Sequence, residues 1–190
     1  MTALEITHSL TEPEIADVVK QLASVTPTMT DYTYDHRARL IKPMITYDAQ
    51  ALALSYLPAA GEATYAGRTV ADDEFSYHHL RRDLYSLASK AGIKVASRYV
   101  VPSAHLTIGR FIHADEFLTT DGGMDHARMG RLIETIEATN EWLREEFWPK
   151  NDKSIKAGGE WIVGKGKGLD HRAGSLWYGG GKTVRLGKGF

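Results

Sequence analysis

The sequence predicts an α+β domain in which antiparallel strands are flanked by helices, and three observations predict it. Apolar residues recur at helical spacing in separate stretches, each preceded by capping residues. Two β-rich runs, Arg39 to Tyr47 and Ala51 to Leu57, flank a turn residue, Asp48. A tail from about residue 158 to 190 holds 11 of the 18 glycines, interleaved with aromatic residues, as short strands joined by tight turns require.

The elements follow in order. Ala3 to Thr7 reads as a short strand. Thr11 is a helix cap, Pro13 suits a first turn and Glu14 completes a capping box. Ile15, Val18, Val19 and Leu22 then give an apolar face through about Val25. Thr26 to His36, rich in Thr, Pro, Asp and Tyr, reads as a loop, and the hairpin around Asp48 follows it. Pro58 to Ala71 is a small-residue connection. Leu80, Leu84, Leu87 and Ala91 line a helix over Asp73 to Ala91, with Gly92 as its stop. Ile93 to Val101 and Ser103 to Ile112 read as extended, interrupted by Pro102. Met129, Leu132, Ile133, Ile136, Leu143 and Phe147 mark a long amphipathic helix ended by Pro149.

A chain of 190 residues fits one domain, residues 1–190, or two intimately packed lobes. Lys plus Arg (23) balances Asp plus Glu (24), which argues against a duplex-DNA-binding protein while leaving room for a local basic patch. The absence of cysteine excludes disulfides, cysteine zinc sites and cysteine nucleophiles. No apolar run approaches the roughly 20 residues that span a bilayer, and no signal-like N-terminus is present. The expectation is a cytoplasmic or otherwise intracellular protein without membrane partners.

The chemistry-bearing stretch is Val100-Val-Pro-Ser-Ala-His-Leu-Thr-Ile-Gly-Arg-Phe111. On a strand, His105 and Thr107 share one face, while Leu106 and Ile108 point to the core. An imidazole transfers protons near neutral pH, and a hydroxyl beside it hydrogen-bonds a phosphate oxygen. Spacing alone carries little, because eight histidines among this many Ser and Thr give about one His-x-Ser/Thr by chance. The competing reading is a strand histidine hydrogen-bonded within the core.

The segment, with a helix and a strand upstream, resembles the second signature of the 2H phosphoesterase superfamily, which includes RNA 2′,5′-ligase and cyclic nucleotide phosphodiesterase proteins. Here the signature reads His105-Leu106-Thr107-Ile108, followed by Gly109-Arg110-Phe111. The family carries two such motifs, one per lobe of a bilobal, pseudo-twofold α+β fold. The opening Met1-Thr2-Ala3-Leu4 fits the first, with Thr2 as its hydroxyl and the first histidine immediately before Met1, so the chain is expected to begin inside that motif. The glycine- and tryptophan-rich tail is similar to that of the fungal-type branch.

The resemblance implies cofactor-free and metal-free attack on a 2′,3′-cyclic or related cyclic phosphate of a nucleotide or RNA 3′ end, with RNA-end ligation as the reverse chemistry. One histidine acts as base and the other as acid, because a single imidazole cannot serve both sides of one in-line step. His105, Thr107 and Thr2 are the candidate catalytic residues; without the first histidine, turnover should suffer more than binding. Arg110 and Tyr99 are candidate substrate contacts, although strand parity puts Arg110 opposite His105 unless a bulge intervenes at Gly109. The alternative is a non-catalytic nucleotide- or RNA-binding module with the same cleft. The oligomeric state stays open.

Other signals are weaker. His78, His79, His105 and His113 lack metal-ligand spacing. Gly181-Lys182-Thr183 lacks the upstream glycine and the following helix of a phosphate loop. Lys165, Lys167, Lys182, Arg185 and Lys188 with Trp161, Trp177 and Tyr178 suit either base stacking or an aromatic-pinned hairpin sealing the core.

Overall fold

The computed structural model describes residues 1–62, 68–96, 104–175 and 180–190. Its elements are α1 (Glu12–Leu22), α2 (Thr26–Asp35), β1 (Arg39–Tyr47), β2 (Ala51–Pro58), α3 (Tyr77–Lys90), β3 (Ala104–Arg110), α4 (His126–Phe147), β4 (Glu160–Ile162), β5 (Asp170–Ala173) and β6 (Lys182–Leu186). The architecture is mixed α+β, with a curled antiparallel sheet in the order β3-β2-β1-β4 and a separate β5–β6 hairpin. No helix among the described residues is long and apolar enough to cross a membrane.

The helices form for the reasons their sequences give. Thr11 N–H donates to Glu14 Oε2 at 2.7 Å, which starts α1. Tyr77, Leu80, Leu84 and Ala88 recur on one face of α3 and are buried together with Leu22, Leu40 and Ala104. Helix α3 starts at Ser76, whose backbone N–H donates to His79 Nδ1 at 3.1 Å, rather than at Asp73. Gly92, at φ +85°, stops it. Residues Val70–Asp73 instead make a 3₁₀ turn.

Further expectations are overturned. Thr26 to His36 is not a loop: most of it is α2, despite its low helix propensity. Thr26 and Thr30 return their hydroxyls to the carbonyls of Leu22 (3.0 Å) and Thr26 (2.9 Å), and Met29, Thr30 and Thr33 are buried. Tertiary packing overrides propensity there. Ala3 to Thr7 is not a strand. Its neighbourhood is held instead by Tyr77 Oη donating to Thr2 O (3.2 Å), Arg81 Nε to Ala3 O (3.2 Å), and Ala96 N–H to Ile6 O (2.8 Å). Residues 93–96 likewise form no strand, residues 97–103, including Pro102, lie outside the described residues, and the extended run expected from Ser103 to Ile112 is the strand β3 over Ala104–Arg110.

Strand β1 is central for only part of its length. Beyond Ile41 it leaves β4 and meets α4, whose Asn140 accepts from Ile45 N–H at 2.6 Å and donates to Ile45 O at 3.0 Å. Trp148 Nε1 donates to Pro43 O at 2.9 Å. Helix side chains thereby satisfy a strand edge that would otherwise be open. Pro43 is tolerated because it sits at a bulge, next to Lys42 at φ +56°.

A buried ionic network ties Arg68 and Asp73 to β1. Arg39 and Asp73 are paired at 2.5 Å with both side chains almost fully buried, and Arg68 reaches the same carboxylate at 2.8 Å. Burial alone would push the Asp73 carboxyl up; the Arg39 hydrogen bonds and charge outweigh it and hold it below its ordinary range.

Candidate functional site

Strand pairing decides which side chains share a face. Tyr56 pairs with Ala104 and Leu54 with Leu106, and all four belong to the core. Ser55 pairs with His105 and Ala53 with Thr107, so these point to the opposite face of the sheet. On β1, Met44 pairs with Ser55 and Thr46 with Ala53, which adds Thr46 to that face. The Thr46 and Ser55 hydroxyls lie 2.6 Å apart.

Past Thr107 the register slips. Ala53 pairs with Thr107 and Leu52 with Gly109, so Ile108 is an extra residue, a β-bulge. Ala51 then pairs with Arg110. Because Ala51, Ala53 and Ser55 alternate along one face of β2, Arg110 lies on the same face as His105 and Thr107. Simple parity, which would place Arg110 opposite, fails for this reason. The bulge also corrects the expected inward orientation of Ile108, which is 58% exposed.

The result is an open groove of about 190 Å³ lined by Thr46, Tyr47, Asp48, Ala51, Ala53, Ser55, His105 and Thr107. Alanines 51 and 53 create the depression by being small. Asp48 Oδ1 accepts from Gln50 N–H at 2.7 Å and Ala51 N–H at 2.9 Å, closing the β1–β2 turn. Those two backbone donors, with a further contribution from the Arg110 charge, hold the Asp48 carboxyl below its ordinary range. The groove thus presents an imidazole, the hydroxyls of Thr46, Ser55 and Thr107, the Tyr47 phenol and an ionised carboxylate, with a guanidinium on the same sheet face. Typical ligand pockets run to roughly 300–1,000 Å³, so this one suits a phosphate-sized group whose remainder extends outward.

The expected residues divide clearly. His105 and Thr107 line the groove together, His105 partly buried and Thr107 exposed, and His105 is not packed into the apolar core. Thr2 does not line it; its carbonyl accepts from Tyr77 on α3. Tyr99 lies outside the described residues, as do Arg98, Trp177 and Tyr178. Trp161 packs edge-on against Tyr56 at 6.0 Å, within the structural interior rather than as a stacking platform. His79 serves as a helix cap, and His113 lies 3.6 Å from Asp115. Among the described residues no group of three or more His, Asp or Glu is placed to hold a metal ion.

Thr46, Ser55 and Asp48 escape a reading of the motif alone. Only Ser55 had a local signal, in β2, where Ala51, Ala53 and Ser55 alternate with Leu52, Leu54 and Tyr56 and mark a small, polar face. Comparison of the chain with family models, with curated proteins and with solved structures finds no match in any of the three.

Proposed function

We propose that this groove binds the phosphate of a 2′,3′-cyclic or related cyclic phosphodiester at the end of a nucleotide or RNA, and that His105 transfers a proton during its metal-independent cleavage. The observation that carries the reading is the Ile108 bulge, which puts Arg110 on the face already occupied by His105 and Thr107. A guanidinium and hydroxyls offer donors to a phosphate oxygen, and an imidazole beside them supplies or removes a proton at the bridging oxygen. The resemblance of His105-Leu106-Thr107-Ile108 to a 2H phosphoesterase signature supports the same chemistry. In that reading the four-stranded sheet belongs to one lobe of a pseudo-twofold 2H-like fold.

A second reading has an observation of its own. Among the described residues that line the groove, His105 is the one imidazole, and Thr2 is not there. A single imidazole favours binding over a two-sided acid–base step, so a nucleotide- or RNA-end-binding module is the alternative.

The test incubates the chain with 2′,3′-cyclic AMP in EDTA. It should bind the nucleotide and hydrolyse it, and His105→Ala should slow turnover about 10²–10⁴-fold. Binding without hydrolysis selects the binding module. Hydrolysis unchanged by His105→Ala removes His105 from the mechanism.

A further inference from the structure

The groove contains a group that a site built only to attract phosphate would omit. Asp48 lines the same depression as His105 and Thr107, and Oδ1 is committed to the backbone N–H groups of Gln50 and Ala51. Those bonds fix the carboxylate at the mouth of the β1–β2 turn, so it cannot swing away when an anion arrives. Arg110, paired with Ala51 across the sheet, sits close enough for its charge to act on that carboxylate. One fixed negative charge therefore offsets the positive charge on this face.

We infer that Asp48 is a charge-selecting residue, which admits a singly charged phosphodiester to the groove and disfavours a doubly charged phosphomonoester. The inference rests on the proposed phosphate-binding reading of the same groove. A cyclic phosphodiester carries one negative charge. Its hydrolysis adds water across one P–O bond, frees a ribose hydroxyl and leaves a monoester whose second proton dissociates with a pKa of about 6. Above that pH the monoester carries a second charge, and the fixed carboxylate repels it more strongly than it repels the diester. Substrate is thereby favoured over product at the same site, and product leaves more readily. The arrangement assigns the groove to ring-closed or internucleotide phosphodiesters over terminal phosphates.

Isothermal titration of the full chain near pH 8 tests this, with 2′,3′-cyclic AMP and adenosine 3′-monophosphate as the two probes. The wild type should bind the cyclic diester more tightly. Asp48→Asn keeps a carbonyl oxygen to accept from Gln50 and Ala51 and removes the charge. It should strengthen monoester binding about fivefold more than diester binding, roughly the factor one extra unit charge about 4 Å away produces in water. A second measurement needs no variant: the wild-type preference for the diester should shrink as salt rises from about 10 mM to about 1 M and the Debye length falls from about 30 Å to about 3 Å. Equal strengthening of both probes by Asp48→Asn, or a wild-type preference indifferent to salt, overturns the selecting role while leaving the phosphate site intact. Failure of both probes to bind the wild type overturns the phosphate reading itself, and the role of Asp48 falls with it.

Discussion

His171 lies on β5 with its ring partly buried and its Nδ1 3.2 Å from Thr26 Oγ1 on α2. Burial lowers its pKa from the ordinary value, more than the nearby Asp170 charge raises it. The fold therefore favours the neutral ring. Its contribution to stability is complete above the ordinary histidine pKa of about 6.5 and declines as pH falls below that value, because the unfolded chain takes up the proton first. Thermal melts of the wild type should lose stability over that interval, and His171→Asn should flatten this part of the profile; an unchanged slope would show that the ring titrates freely. Residue-scale reasoning from sequence reached the His105 and Thr107 face because alternation is a local property of a strand. It did not reach Thr46 and Asp48, which join the groove only through the pairing of β1 with β2. Nor could it place Arg110, whose face depends on one residue, Ile108, having no partner on the neighbouring strand.

At the scale of the element, the bulge in β3 makes an unusual demand. Deleting one residue from a regular strand reverses the faces of everything after it. Ile108 is the extra residue of the bulge and is mostly exposed, so its deletion should restore an uninterrupted ladder with Gly109 still opposite Leu52 and Arg110 still opposite Ala51. The shortened protein should fold and keep its affinity for 2′,3′-cyclic AMP within about threefold, since surface changes away from buried contacts usually cost within about 0.5 kcal/mol. Deleting Leu106 instead should be severe, because it removes a side chain packed on the core and turns the following residues over. Equal damage from both deletions would contradict the observed register. Elements with strong periodicity, α1, α3 and α4, were legible in the sequence, as was the hairpin around Asp48. Helix α2 was not, because its Thr-rich sequence is weak in isolation and is held by what packs on it.

What packs on α2 is the C-terminal tail, and this makes the glycine-rich segment part of the folding unit. Arg185 makes a paired interaction with Asp31, its Nη2 2.8 Å from Oδ2, and also donates to Thr30 Oγ1. Lys188 N–H donates to Asp31 Oδ1 at 2.9 Å, and Leu169 N–H donates to Thr30 O at 2.9 Å. These contacts bring the tail backbone so close that a Cβ on Gly187 would lie 1.9 Å from the Thr30 carbonyl oxygen. The glycine is required by close approach, since backbone on both sides of the contact leaves no flexible side chain to yield. Composition identified a tail of turns, but the contact that demands glycine spans more than 150 residues and leaves no local signature. Gly187→Ala should cost about 1–3 kcal/mol, as forced overpacking does. The loss should reach beyond the hairpin: amide exchange in α2 should accelerate together with exchange in β6, because each holds the other's backbone in place. Faster exchange confined to β6 would mean that α2 keeps its structure through Leu22 and the core alone, and that the tail only rests on a helix already formed.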